Sequence, residues 1–133
     1  MKKISADYIF PGNTAPIRNG VLIIENNGII IELLDPQKNE INWTGVEIHK
    51  GIICPGFVNT HCHLELSYLK NQISEQTQLH GFIKEIITKR NGFTEEQRLN
   101  AIIEAELEMK KNGIVAVGDI SNGDSTFEQK EKG

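Results

Sequence analysis

The hydrophobic pattern of the chain changes at Pro55-Gly56, and this change constrains the fold more than any other feature. Before it, short segments rich in β-branched residues alternate with turn residues, which predicts strands. Asn-Gly between Val21–Ile24 and Ile29–Ile31 predicts a hairpin with a tight primed turn, because both turn residues tolerate positive φ. The other strands are predicted at Lys3–Phe10, Val46–Ile48 and Ile52–Cys54. This part of the chain therefore predicts a small antiparallel sheet.

After Gly56 the pattern is that of a strand, two helices and a second strand. The predicted strands are Phe57–His63 and Ile114–Val117, and a polar loop (Ser67–Gln78) and a helix (Leu79–Arg90) follow the first of them. Thr94-Glu-Glu-Gln97 is a capping box that opens a second helix, and Asn112-Gly113 closes it. This order is a crossover unit, which predicts parallel strands covered by helices.

The pattern after Gly56 is that of an incomplete domain. Ser125-x-x-Glu128 has the pattern of a further helix start. Two parallel strands with helices on one side do not close a core, so we expect residues 56–133 to be the beginning of a larger α/β domain.

Charge and hydropathy exclude two classes of partner. The chain has 133 residues, with 14 Lys and Arg against 18 Asp and Glu, and its basic residues are scattered, so we expect no binding to nucleic acid. The apolar runs are too short to span a bilayer, and a secretory signal is not recognised at the start. With two cysteines, the sequence predicts a cytoplasmic protein with reduced thiols and no membrane partner.

The His61-Cys-His63 triplet carries the most specific chemistry in the chain. Residues i and i+2 of a strand face the same side, so the two imidazoles point together and Cys62 points away. Two such rings can bind one metal ion, although a catalytic zinc has three protein ligands and the rest must come from elsewhere in space. The alternative is a structural or surface pair of histidines, because His-x-His is a common pattern. The position at the carboxyl end of a parallel strand favours the metal site.

Other polar residues are weaker candidates. A structural zinc site made of both cysteines and both histidines is disfavoured, because Cys62 faces away and Pro55-Gly56 turns the chain after Cys54. His49 precedes the Pro-Gly turn and His80 starts a helix, so neither is expected to complete the site. Asp119 follows the second parallel strand, where we expect it to cap the strand end.

The segment Cys54-Pro-Gly-Phe-Val-Asn-Thr-His61-Cys-His63-Leu-Glu65 resembles the first-strand signature of the amidohydrolase superfamily. The similarity is greatest to the branch of chlorohydrolase-like, nucleoside-deaminase-like and aminofutalosine-deaminase-like enzymes. The resemblance implies that residues 1–55 are part of a β-sandwich. It implies that residues 56–133 are the first βα units of an incomplete TIM (β/α)8 barrel.

The same resemblance implies a hydrolase that acts on non-peptide carbon–nitrogen bonds. His61 and His63 would be ligands of a divalent metal, zinc or iron. The metal would activate water for the deamination, or another hydrolysis, of a cyclic, nucleoside-like or base-like small molecule. Glu65 would bind substrate through ribose hydroxyls; the alternative is that it is a solvated carboxylate of the loop. Ser67 and Tyr68 are weaker candidates. A catalytic acid or base is not assigned to any residue of this chain.

Because the other ligands of the family come from later barrel strands, we expect this chain to be an N-terminal piece that is inactive alone. We also expect it to expose apolar surface and to form homo-oligomers through open sheet edges. The competing hypothesis is a non-catalytic α+β module that oligomerises in this way, with His61 and His63 in structural roles.

Overall fold

The computed structural model describes residues 1–132, which form two compact units, Met1–Pro55 and a second unit that begins at Gly56. Within Met1–Pro55, one sheet contains β1 (Lys2–Ile9), β2 (Ile17–Arg18), β3 (Val21–Ile24), β4 (Ile30–Leu34) and β5 (Val46–Ile53). Strands β2 and β3 pair antiparallel with the two ends of β1, and β4 pairs antiparallel with β3. The core of this unit consists of apolar side chains from β1 and β3, namely Ala6, Ile9, Val21 and Leu22.

The prediction of a purely antiparallel sheet is wrong at β5. This strand runs continuously through Gly51 and pairs parallel with β1. A bulge shifts the register between Ala6 and Tyr8, where Gly51 adopts a φ of 99°. The Gly51 N–H donates to Asp7 Oδ2 at 2.8 Å, so the carboxylate satisfies the amide that the bulge leaves out of the ladder. This hydrogen bond is the main reason why the pKa of Asp7 lies below its ordinary value.

The hairpin between β3 and β4 is present, but its turn differs from the predicted one. Within residues 25–29, Gly28 alone has positive φ, and its N–H donates to the carbonyl of Glu25 at 3.0 Å. Asn27 instead accepts the N–H of Ile29 on its side-chain oxygen at 3.0 Å. The connection is therefore a longer loop with one left-handed glycine, and this asparagine contributes a side-chain acceptor in place of a positive φ.

The second unit has the predicted crossover order. From Gly56 to residue 132 its elements are β6 (Phe57–Cys62), a 3₁₀ helix (Leu64–Leu69), α1 (Gln78–Lys89), a 3₁₀ turn (Arg90–Gly92), α2 (Glu95–Lys111), β7 (Ile114–Asp119) and α3 (Phe127–Lys132). Strands β6 and β7 pair in parallel. The 3₁₀ helix Leu64–Leu69 replaces the start of the predicted polar loop, because Leu64, Tyr68 and Leu69 are buried.

Helix α2 begins and ends as its sequence predicts. Thr94 and Gln97 form the capping box, with the Gln97 N–H donating to Thr94 Oγ1 at 3.2 Å and the Thr94 N–H donating to Gln97 Oε1 at 2.8 Å. At the other end Gly113 takes a φ of 78°, and its N–H donates to the carbonyl of Lys110 at 3.0 Å. The Gly113 carbonyl accepts the N–H of Phe57 at 2.8 Å, so the helix stop also starts the β6–β7 ladder.

The buried face of α2 is only partly the predicted one. The apolar positions at helical spacing predict a buried face made of Leu99, Ile102, Ile103, Ala105 and Met109. In the structure Ile102 is 1% exposed, whereas Leu99 is 44% exposed. Glu106, which was not predicted, is buried at 8% exposure. Its carboxylate pairs with Lys110 and accepts from Gln129, so polar partners offset the cost of its burial.

Large apolar side chains remain exposed in the second unit, as expected for an unclosed core. Phe57, Val58 and Val115 on the two strands and Leu79 and Ile87 on α1 are each more than half exposed. Within the described part of the chain, the helices are too short or too polar to cross a bilayer.

Gly118 lies where β7 passes close to the backbone of β6. A Cβ at this position would lie 2.8 Å from the carbonyl oxygen of Thr60. We predict that Gly118→Ala lowers the free energy of unfolding by about 1–3 kcal/mol, because backbone rather than a mobile side chain must move. Denaturant unfolding measures this change. Gly123→Ala is the matched control, since its Cβ would meet nothing within 4 Å; equal stability of the two variants would contradict the prediction.

Candidate metal centre

The two histidines of the His-x-His triplet meet at the carboxyl end of β6. His61 lies on the strand and His63 directly follows it, and their Nε2 atoms are 3.2 Å apart. The rings are tilted by 60° with centroids 5.1 Å apart, and both side chains are exposed. The register of β6 against β7 shifts between Asn59 and Cys62, and Asn59 Oδ1 accepts the N–H of His61 at 3.2 Å.

A backbone carbonyl determines the tautomer of His63. Its Nδ1 lies 2.9 Å from the carbonyl oxygen of Ile120, which can only accept a hydrogen bond. Nδ1 therefore carries the proton, and Nε2 presents a lone pair toward Nε2 of His61. In the structure that lone pair accepts a hydrogen bond from His61 Nε2 at 3.2 Å. A histidine with one ring nitrogen donating to a carbonyl and a lone pair on the other is the form that binds metals in proteins.

The separation of the two nitrogens fits a shared metal ion. A zinc ion about 2.0–2.1 Å from both Nε2 atoms would see them at an angle of roughly 100–105°, close to the tetrahedral value. Imidazole donors suit zinc and iron. Among residues 1–132, however, no group of three or more His, Cys, Asp and Glu side chains could hold a metal. The two histidines therefore do not by themselves make up a catalytic metal site within the described residues.

A buried carboxylate lies beside this pair. Asp119 ends β7, and its side chain is 2% exposed. Oδ1 accepts the N–H of Leu64 at 2.8 Å, and Oδ2 accepts from Lys130 and from the hydroxyl of Thr126. Burial by itself would raise the pKa of Asp119, but the hydrogen bonds from Lys130 and Leu64 outweigh it and lower the pKa. Asp119 thus caps the strand end, as expected, and the group that it binds is the N–H of Leu64, the residue after His63.

Glu65 is bound to the segment that follows β7. It is half-buried, and its carboxylate accepts the N–H of Asn122 at 3.0 Å and the side-chain amide of Asn122 at 2.6 Å. The two weaker candidates have structural contacts. Ser67 donates its hydroxyl to the carbonyl of Leu64 at 2.7 Å, and Tyr68 is buried with its ring 4.9 Å from that of Phe93.

The remaining candidates have contacts or surroundings of other kinds. Both cysteines are free thiols. The pKa of the Cys62 thiol is raised, mainly by burial and to a smaller extent by the negative charge of Asp119. His49 belongs to β5, where it pairs with Glu47 at 3.0 Å. His80 is exposed on α1.

Sequence reasoning missed two partners of the site. The carbonyl of Ile120 leaves no trace in the identity of its side chain, so only the three-dimensional structure reveals it. Asn122 had a weak signal, since an amide side chain in the loop after a parallel strand lies at the edge where the histidines were expected.

Comparisons with known proteins identify similar chains. No family model matches. A 5'-deoxyadenosine deaminase of Methanococcoides burtonii is 30% identical over 104 residues, which are 78% of this chain and 24% of that protein. The structure of Helicobacter pylori aminofutalosine deaminase in complex with methylthio-coformycin superposes with a TM-score of 0.75 at 19% identity, covering 100% of this chain and 33% of that one.

A zinc-containing structure is also similar. An adenosine deaminase from Xanthomonas campestris with bound zinc superposes with a TM-score of 0.63 at 17% identity, covering 89% of this chain and 28% of that one. The chain thus spans about a quarter to a third of the length of these proteins. The resemblance first seen in the His-x-His segment is confirmed: this chain is similar to part of the amidohydrolase-superfamily deaminases.

Proposed function

We propose that the protein is a metal-dependent hydrolase that deaminates a nucleoside-like or base-like small molecule at a non-peptide carbon–nitrogen bond. The observation that carries the proposal is the convergence of His61 Nε2 and His63 Nε2 at 3.2 Å in a chain similar to deaminases. The fixed tautomer of His63 supports it, because a lone pair already faces the position that a metal would take.

In this proposal His61 and His63 contribute two ligands, and the others come from polypeptide that these 133 residues do not include. A divalent ion bound here, zinc or iron, supplies the Lewis acidity that lowers the pKa of water to about 7. The carbonyl of Ile120 holds the ring of His63 in the binding orientation. Zinc is favoured because a similar adenosine deaminase structure contains it.

The proposed fold is a β-sandwich part (1–55) and the first strands of a (β/α)8 barrel (56–133). Parallel pairing of β6 with β7 through a helical crossover supports the barrel, and so do the exposed apolar side chains on those strands. The histidines lie at the carboxyl end of β6, the end at which such barrels bind their substrates. A cytoplasmic location remains a prediction.

Substitution of either ligand tests this function in the full-length protein. We predict that His61→Ala and His63→Ala each remove most of the bound metal. They should also lower kcat/KM for ammonia release from 5'-deoxyadenosine, adenosine or aminofutalosine. The loss should exceed the about 10–100-fold that follows when a residue hydrogen-bonded to a metal ligand is removed. Metal analysis and an ammonia assay measure both effects.

His80→Ala is the matched control, because this histidine is exposed on α1. It should retain both metal and activity. A wild-type protein that contains no metal, or whose activity survives both histidine substitutions, would overturn the proposed function.

Glu65 is proposed to bind substrate through ribose hydroxyls. Its oxygens already accept from Asn122, but an ionised carboxylate has about four acceptor positions, so it can accept from a hydroxyl as well. We predict that Glu65→Gln raises KM for nucleosides by about 10-fold and leaves KM for the free base unchanged, since a hydrogen bond to a charged group is lost.

The control for Glu65 is Glu108→Gln, which neutralises an exposed carboxylate paired with Lys70 in the same unit. Steady-state kinetics with matched nucleoside and base substrates separate the two roles. An equal rise of KM for both substrates would indicate that Glu65 only positions Asn122, and it would contradict binding of the ribose by Glu65.

A non-catalytic module that forms homo-oligomers is the second candidate. The exposed side chains of Phe57, Val58 and Val115 favour it, because apolar residues on open strands promote association. In this candidate the 3.2 Å contact is a hydrogen bond from His61 Nε2–H to His63 Nε2 and has no role beyond it. We rank the candidate second because it does not account for the similarity of the chain to deaminases.

A further inference from the structure

The chain around His63 is fastened to the end of β7 at consecutive positions. Nδ1 of His63 donates to the carbonyl of Ile120 at 2.9 Å, and the N–H of Leu64 donates to Asp119 Oδ1 at 2.8 Å. The strand ladder itself ends here, with the Ile120 N–H donating to the carbonyl of Cys62 at 2.8 Å. Side chains therefore continue the connection between β6 and β7 where backbone pairing stops.

Regular secondary structure does not hold the backbone of His63. This residue has φ −131° and ψ 69°, and it lies between the end of β6 and the 3₁₀ helix Leu64–Leu69. Its ψ angle sets the direction of the Leu64 N–H. The hydrogen bond from that N–H to Asp119 therefore fixes the peptide group that follows the histidine.

Asp119 is itself held rigidly. Its side chain is 2% exposed and pairs with Lys130 of α3, whose side chain is 31% exposed. The hydroxyl of Thr126, a residue with 0% exposure, also donates to Oδ2. A buried carboxylate with three donors has few alternative positions, so the oxygen that receives the Leu64 N–H is well defined.

We propose that Asp119 is a positioning residue of the metal centre: by binding the Leu64 N–H, it holds His63 Nε2 at the distance from His61 Nε2 that a shared metal ion requires. The inference rests on the proposed function, because it concerns the same two ligands. It assigns to Asp119 a role in metal affinity and not metal ligation, since both carboxylate oxygens are already engaged.

Two uncharged double variants isolate this hydrogen bond. Asp119→Asn with Lys130→Met retains a carbonyl oxygen for the Leu64 N–H, whereas Asp119→Leu with Lys130→Met has no acceptor. Both remove the buried ion pair together, and replacing such a pair by groups of similar volume is tolerated by the fold. The two proteins therefore differ mainly in the contact under test.

Zinc affinity of the full-length protein is measured by competition with a chelator, and the visible absorption of the cobalt-substituted protein reports ligand geometry. We expect the leucine variant to bind zinc about 10–100-fold more weakly and to show an altered cobalt spectrum, and the asparagine variant to resemble the wild type. Glu108→Gln, in the exposed pair with Lys70, should change neither quantity.

The outcomes separate the two proposals. Equal zinc affinities and cobalt spectra for the two double variants, in a protein whose wild-type affinity depends on His61 and His63, would overturn the role of Asp119 alone. A wild-type protein whose zinc affinity is unaffected by His61→Ala and His63→Ala would overturn the proposed function, and the positioning role with it. A change of melting temperature without a change of zinc affinity would show that Asp119 is only structural.

Discussion

The parallel pairing of β6 with β7 is the interaction on which the candidate site depends. Parallel strands place their carboxyl ends at the same edge, so this pairing brings residues 119–122 next to the histidines. It requires the crossover through α1 and α2, and at the end of α2 the Gly113 carbonyl accepts the N–H of Phe57, the first residue of β6. The backbones of the two strands lie so close at Gly118 and Thr60 that a Cβ at position 118 would meet the Thr60 carbonyl oxygen.

The geometry around the histidines connects the fold to chemistry. A pair of exposed imidazoles on a free strand end would have many orientations, and neither ring would be prepared for a metal. Here the Ile120 carbonyl fixes the proton of His63, and Asp119 fixes the peptide group after it. In the proposed function the two nitrogens, 3.2 Å apart, are two of the ligands of a zinc or iron ion, and the similar deaminases are several times longer than this chain.

Much of this could be predicted from the sequence where the signal is local. The period of two places His61 and His63 on one face, and the capping box and Asn112-Gly113 give both ends of α2. Contacts between distant segments were harder to predict. The parallel pairing of β5 with β1 depends on a bulge at Gly51, whose N–H is bound by Asp7. In the sequence, the polar residues and the glycine of His49-Lys-Gly51 predict a break between two short strands. The burial of Glu106 depends on Gln129, which is 23 residues away.

Histidine-selective NMR of the full-length protein, with ¹⁵N-labelled imidazoles and with and without zinc, tests the central claim most directly. The account predicts that zinc shifts the Nε2 signals of both His61 and His63 while Nδ1 of His63 keeps its proton. The signals of His49 and His80 should not change. Zinc bound through Nδ1 of His63, or zinc that leaves the ring signals of His61 and His63 unchanged, would contradict this account.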